Sequence, residues 1–383
     1  MSGETPSERS GRLPGWVGGD RAEPSAERAR SRARPGELSG ETPRRTGIAV
    51  LGSANMDLVV TTERAPERGE TVTGQTFRTI PGGKGANQAL AAARAGGSVR
   101  FLGAVGDDEF GRQIRTVLGG DGVDTGGLIS ADEPTGTAHI VVDGDGDNSI
   151  VVVPGANGTV TALTDAHRTA IESVGTLLLQ LELPLSVVAE AAAFARSVGV
   201  RTVLTPAPAV PLPDELLGEI DLLVPNEHEA AILTGGHGAG ARGGGRGRVA
   251  AHAPAPPPAP APTPGTGAGT GDDVTDDSWS LARQLAKRSR AVTVTLGSRG
   301  AIHLAEGAAP VHVPAFAVDA VDSTAAGDTF VGVLAVGLAE DLPIDDALRR
   351  ASAAAAISVQ RFGASSSMPT RAEIDSFLLD RTR

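Results

Sequence analysis

Short apolar runs recur along the chain with almost no alternation: TGIAVLGS, VRFLGAVG, GTLLLQLEL, VRTVLTPAP, IDLLVPNE and AVTVTLGS. Strands covered on both faces read this way. Between or after them lie ANQALAAARAG, LSVVAEAAAFARSVG, SWSLARQLAKRS and IDDALRRASAAAAISVQ, which read as helices, as does VGVLAVGLAEDL from residue 331. Strand and helix in turn predict a doubly wound α/β architecture with a mostly parallel sheet. Two stretches break the rhythm. MDLVVTTERAPERGETVTGQTFRTI and TAHIVVDGDGDNSIVVV alternate like hairpin strands, the second around a Gly-Asp turn. They predict a small β-lid beside the main sheet, with strands within about 56–80 and 137–153.

Two segments lack any apolar period. Residues 1–46, rich in Arg, Glu, Pro, Gly and Ser, cannot offset the entropy of ordering and are expected to form a disordered tail. Its arginines are nearly balanced by Glu4, Glu8, Asp20, Glu23, Glu27, Glu37 and Glu41, which weighs against a nucleic-acid arm or a transit peptide. From about 235 to 278 the chain runs through GGHGAGARGGGRGRV and HAPAPPPAPAPTPGTGAGTGDD, a flexible glycine and polyproline-like surface insertion. Lengthening such a loop costs only about 0.6 kcal/mol per doubling, so one domain can span 47–383 around it.

Composition narrows the function. A chain of 383 residues with 40% hydrophobic content can bury a substantial core. The formal net charge of -12 argues against nucleic acid as the main partner. With no cysteine, disulfides, thiol nucleophiles and cysteine-bound metals are excluded. No apolar run reaches membrane-spanning length and no signal-peptide region is visible, so a cytoplasmic enzyme with no membrane partner is expected.

Candidate chemistry sits where strands and helices meet. DSTAAGDTF, residues 322–330, precedes an apolar helix whose unpaired N–H groups attract anions. Ala325, Ala326 and Gly327 would let a phosphate approach that backbone, while Asp328 is either a first-turn acid favoured by the dipole or a working carboxylate. PGGKGANQAL, residues 81–90, lacks both the Gly-Lys-Ser/Thr of a Walker A loop and the third glycine of a dinucleotide fingerprint. It presents Lys84 and Asn87, suited to a polyhydroxylated ligand, or is a plain glycine turn capping a helix. Asn55 and Asp57 point to one side of an extended chain and could bracket vicinal hydroxyls. In PNEHEA, Asn226 and Glu229 follow a strand, and Glu229 could organise a hydrated Mg²⁺. Each pair could equally be a cap or a solvated loop. TLGSRG, residues 295–300, ends a strand in a turn that suits a nucleotide.

In this order, GSANMD, GGKGANQA, LLQLELP, TPAPA, PNEHEA, TLGSRG and DSTAAGDTF closely resemble the ribokinase/PfkB sugar-kinase family, over residues 47–234 and about 279–380. The resemblance implies a ribokinase-like doubly wound α/β/α sandwich with a small β-sheet lid. It implies an ATP-dependent transfer to the O5 hydroxyl of D-ribose, giving D-ribose 5-phosphate. Asp328 would be the general base, and the N–H groups of Ala325, Ala326 and Gly327 the anion hole. Sugar contacts map onto Asn55, Asp57, Gly83, Lys84, Asn87 and Glu182. ATP contacts map onto Asn226, the turn Thr295, Leu296, Gly297, Ser298, Arg299 and Gly300, then Gly327, Asp328 and Ser352. A K⁺ site is implied at Asp322, Thr324, Ser358, Arg361, Gly363 and Ser367, several through backbone carbonyls, with Glu229 serving Mg²⁺ through water.

Two positions depart from the family pattern. Thr205 stands where the family usually has Asn, and Ser352 where His or Asn is frequent on the adenine side. Both bear on the nucleotide more than on the sugar. A nucleoside kinase would need an apolar wall for its base, whereas this chain has no Tyr and eight Phe; a sugar-acid kinase would want more lid cations than Arg64 and Arg68. A catalytically dead sugar sensor is the alternative from another class. Pairing through an uncovered lid face predicts a homodimer.

Overall fold

The structure, a computed structural model, describes residues 45–145, 147–235 and 274–381. The tail expected up to residue 46 and the insertion expected at about 235–278 therefore lie almost wholly outside the described residues.

The chain enters through β1 (Ile48–Leu51), then β2 (Asn55–Thr61), β3 (Thr76–Gly82) and α1 (Lys84–Arg94). Next come β4 (Val99–Gly106), α2 (Glu109–Gly120), β5 (Asp124–Ala131), β6 (Gly136–Val142) and β7 (Asn148–Val153). A short turn of helix at Gly155–Thr159 leads to α3 (Asp165–Glu172), β8 (Thr176–Leu179), α4 (Leu185–Ser197), β9 (Arg201–Leu204) and α5 (Asp214–Gly218). β10 (Leu222–Leu223) and α6 (Glu227–Leu233) follow, and beyond the undescribed segment α7 (Asp276–Leu285), β11 (Ala291–Thr295), β12 (Ala301–Ala305) and β13 (Val311–Val313). The chain closes with α8 (Ala326–Ala339), α9 (Ile344–Ser358) and α10 (Arg371–Asp380).

The main sheet has nine strands in the order β13-β12-β11-β10-β9-β8-β1-β4-β5. From β11 to β5 every pairing is parallel; β12 and β13 add an antiparallel edge. All four residues of β1 are fully buried, which explains its unbroken apolar sequence. Ile48 and Val50 pack into a core with α1, α8 and α9, whereas Ala49 and Leu51 pack into a second core with α4 and α7. Alternate side chains of one strand thus serve the two helical layers of an α/β/α sandwich.

The lid is a separate four-stranded sheet, order β3-β2-β6-β7. Its two expected hairpins, β2–β3 and β6–β7, are both antiparallel, and a parallel β2–β6 pairing joins them with Asn55 opposite Gly136. Every residue of β7 is exposed, and Phe77 and Val151, which the strand register puts on the same face of the lid, are exposed apolar residues there.

One close approach sets the position of the site. Gly332 of α8 lies against α1 so tightly that a Cβ there would come within 2.6 Å of the Gln88 carbonyl. The two helices touch along small residues, and their N-terminal ends meet. Among the described residues no helix is long and apolar enough to cross a membrane.

Candidate active site

The site lies beyond the carboxyl ends of the parallel strands, where open α/β sheets bind ligands. Asn55 follows β1, Glu182 follows β8, Thr205 follows β9, Asn226 follows β10 and Thr295 ends β11. The N-termini of α1 and α8 face this edge and bring Lys84 together with Asp328.

Asp328 is buried in the first turn of α8. Its Oδ1 accepts from Gln88 Nε2 at 3.1 Å and its Oδ2 from Asn87 Nδ2 at 3.2 Å. A dipole-favoured acid on a solvated first turn would have neither partner, so the working reading of Asp328 fits the geometry better. Burial holds its carboxyl above the ordinary range, against the opposing pull of the Lys84 ammonium and the two amides. Burial alone would lower Lys84, yet Asp328, Glu182, Glu229 and Asp57 outweigh it and raise the ammonium's pKa. One cation therefore stands among four carboxylates.

The residue ahead of α8 is strained. Ala325 has φ 57° and ψ 14°, a left-handed conformation that costs a side-chain-bearing residue of order 1 kcal/mol or more. The twist turns the chain sharply into the helix, so that the backbone of 325–328 lines a cavity of about 220 Å³. Within that turn the Ala326 N–H already donates to the Ser323 carbonyl at 3.2 Å. Of the three expected anion-hole donors, Ala326 is thus committed here.

Among the expected sugar residues, Lys84 N–H donates to Glu182 Oε2 at 3.1 Å, and the Ser53 hydroxyl donates to the same oxygen. Asp57 lies over Gly82, where a Cβ would come within 2.3 Å of its carboxylate. Burial, then Glu182 and Asp328, push the Asp57 carboxyl up to about 7 despite Lys84. Gly83 has φ 91° and fits against the Asn55 N–H, where a Cβ would come within 2.8 Å. Asn87 Oδ1 is buried without a partner, an acceptor left open beside Asp328. The six expected sugar residues therefore gather in one place.

On the other side of Lys84 and Asp328 the cavity is lined by Thr205, Asn226, Glu229, Thr295 and Ser323. Asn226 and Glu229 form a reciprocal cap on α6: Glu229 N–H donates to Asn226 Oδ1 at 2.8 Å, and Asn226 N–H to Glu229 Oε2 at 2.8 Å. The structure shows the cap, and the same two residues also line the cavity. Thr295 pairs with Asn226, and the turn Gly297–Arg299 leads out of β11. There the Arg299 guanidinium donates to Glu227 and its carbonyl accepts from His312. Ser352 is buried on α9.

Of the expected K⁺ residues, Asp322, Thr324 and Gly363 meet. Asp322 Oδ1 accepts from Thr324 N–H at 2.9 Å and Oδ2 from Gly363 N–H at 2.8 Å, tying the two segments together. Burial would raise Asp322, but hydrogen bonds from Thr324 and Gly363 outweigh it and hold the carboxyl below its usual range. The Arg361 side chain bonds Glu373, and Ser358 and Ser367 are fully buried.

Three residues escaped the sequence reading. Gln88 carries the Asp328 bond, and Gln180 Nε2 donates to Gln88 Oε1 at 2.7 Å. Gln88 Nε2 also reaches Thr205 Oγ1 at 3.3 Å, so the hydroxyl that replaces the usual amide joins this network. A glutamine closing the otherwise apolar strand run LLLQ was a usable signal. Asn157, in a glycine turn, bonds Ala54 and Asn55 and gave no signal of its own.

The sequence and the fold match known proteins. The pattern of the pfkB family carbohydrate kinases matches residues 45–371, and the chain belongs to that family. Within it the similarity runs to ribokinases. The ribokinase of Bacillus subtilis is 39% identical over 335 residues, covering 86% of this chain and 99% of the relative. That of Schizosaccharomyces pombe is 39% identical, covering 86% and 96%. The structure of Arabidopsis thaliana ribokinase complexed with ribose and ATP superposes with a TM-score of 0.74 at 33% identity, covering 87% of this chain and 99% of that one.

Proposed function

We propose that the chain is an ATP-dependent kinase of D-ribose that forms D-ribose 5-phosphate and ADP. The observation that carries this reading is the buried Asp328, held by Asn87 and Gln88 at the mouth of α8 between the cluster of expected sugar residues and a cavity lined by Asn226, Glu229 and residues 325–328. The ribose O5 hydroxyl gives its proton to Asp328 as its oxygen attacks the γ-phosphorus. The bond from that phosphorus to the β–γ bridging oxygen breaks, and ADP leaves. The N–H groups of Ala325 and Gly327, which unlike that of Ala326 are not bonded within the turn, receive the charge spread over the transferring phosphoryl oxygens. Asp57 and Glu182 accept from ribose hydroxyls, and closure of the lid excludes water.

Glu229 suits a hydrated Mg²⁺: it lines the cavity, and the cap uses only its Oε2. Bound Mg²⁺ would neutralise phosphate charge. The Asp322 and Gly363 segments suit K⁺ held by backbone carbonyls, with Asp322 shaping the loop that leads into Ala325. We take residues 47–383 as the kinase domain, as the family match over 45–371 supports, and place it in the cytoplasm, as an acidic, cysteine-free chain supports.

A coupled ADP-release assay on pentoses, hexoses and nucleosides tests the reading, with K⁺ replaced by Na⁺ in parallel. Ribose is expected to be the preferred substrate and K⁺ to raise turnover. Turnover of nucleosides instead would transfer the assignment to that branch, and no turnover of any sugar would favour a sensor.

Asp57 makes the sugar step pH-dependent. Its carboxyl titrates at about 7, and the ionised form accepts hydroxyls. Ribose affinity is expected to rise as pH climbs from about 6 to about 8, and Asp57→Asn to flatten that dependence, read by calorimetric titration. The lid's apolar face, with Phe77 63% and Val151 65% exposed, supports pairing of two copies. A dimer mass by light scattering at micromolar concentration is expected; a monomer there would refute the pairing.

A further inference from the structure

Asn157 sits in the turn Gly155–Thr159 that follows the lid, where it is 1% exposed. Its amide is gripped by one residue of main chain. Ala54 N–H donates to Asn157 Oδ1 at 2.9 Å, and Asn157 Nδ2 donates to the Ala54 carbonyl at 3.2 Å. A backbone N–H only donates and a carbonyl only accepts, so this amide has one permitted orientation. Its remaining N–H then donates to Asn55 Oδ1 at 2.7 Å.

The polarity passes on. With Oδ1 turned to Asn157, the Asn55 amide directs its NH₂ the other way, and no hydrogen bond from that group is seen among the described residues. Asn55 is 2% exposed at the point where β2 leaves the main sheet beside Gly83. The fold protects the arrangement from the lid side as well. A Cβ on Gly136, the residue paired with Asn55 in the lid, would fall 2.3 Å from Asn157 Nδ2 and 2.5 Å from Asn55 Oδ1. Glycine is the residue that leaves the bond room.

We propose that Asn157 is a positioning residue that makes Asn55 an obligate hydrogen-bond donor to a substrate hydroxyl. This rests on the polyol-kinase reading above. Asp57 and Glu182, as carboxylates, only accept, and a hydroxyl that gives them its proton keeps lone pairs for an N–H. A donor and acceptors gathered at one place therefore select a hydroxyl for both of its hydrogen-bonding capacities. An asparagine free to turn would present its carbonyl half the time and lose this discrimination.

The test is Asn157→Asp, which keeps size and the acceptor for Ala54 N–H but sets a carboxylate against Asn55 Oδ1. Asn55 is then driven to turn its NH₂ inward. Ribose affinity, by calorimetric titration, is expected to fall roughly tenfold or more while kcat at saturating ribose stays within about threefold. In an Asn55→Leu background the same change is expected to have no further effect on affinity, because Asn157 acts through Asn55. Thermal melts and ATP titration establish that each variant is folded. Unchanged ribose affinity in the folded Asn157→Asp enzyme, a further loss in the double variant, or a kcat that falls with affinity would each overturn the proposal. A wild-type enzyme that ignores ribose refutes the substrate reading alone; the same comparisons with the sugar it does phosphorylate then decide the role of Asn157.

Discussion

Replacing Asp328 with asparagine is expected to lower kcat for ribose phosphorylation by about 10²- to 10⁴-fold, the range for loss of a positioned general base. The substitution preserves shape, so the loss isolates the carboxylate. Two donors, Gln88 Nε2 and Asn87 Nδ2, aim at the two oxygens of Asp328. An asparagine satisfies only one of them and sets an NH₂ against the other. Neither its oxygen nor its nitrogen can take the proton of the attacking hydroxyl. Sugar affinity is expected to change little, because Asp57 and Glu182 remain. Thermal stability is expected to hold or rise, since a charge whose burial is unfavourable has been removed. The measurements are single-turnover phosphoryl transfer, ribose titration and a thermal melt of the same preparation. A kcat within tenfold of wild type would show that Asp328 is not the base.

Much of this arrangement was legible from sequence because it is local. Strands such as β1 and β8 announce themselves through continuous apolar runs, since both faces are covered by helices. The Gly-rich entry to α1 and the small residues before α8 are likewise readable, because each is a backbone requirement at one place. β5 and β12 were missed for a physical reason. β5 is DTGGLISA with half of its residues exposed, and its pairing to β4 shifts register between Arg100 and Leu102, so it shows neither an apolar run nor a clean alternation. β12 is an antiparallel addition beyond the parallel strands. The amide partners of Asp328 and Asn55 escaped because hydrogen bonds such as Gln88 to Asp328 join residues 240 positions apart. Nothing local marks a glutamine that bonds a carboxylate from one that fills space.

Lys84→Met tests how the site holds its charge. The wild-type ammonium is surrounded by Asp328, Glu182, Glu229 and Asp57, and each of these raises its pKa. Methionine keeps the stem and removes the cation, leaving the carboxylates facing one another in a buried place. Loss of kcat/KM by about 10²- to 10³-fold is expected, comparable with removal of one preorganised electrostatic group. The pH dependence carries the sharper prediction. Lys84 opposes the rise of both Asp57 and Asp328, so without it both carboxyls rise further. Since the ionised forms bind the sugar and take the proton, the acid limb of the kcat/KM profile is expected to move to higher pH. Stability should follow the same sign. A carboxyl whose pKa is higher folded than unfolded stabilises the fold below the unfolded value, near 4, and loses that contribution as pH rises through the folded value. The variant is therefore expected to melt progressively earlier than wild type as pH rises from about 5 to about 9, because its carboxyls no longer share a cation. Lys84→Arg is not expected to restore activity, as the planar fork cannot occupy the place of a compact ammonium among four carboxylates. An acid limb that stays where it is in Lys84→Met would mean that the ammonium does not govern the charge state of the site.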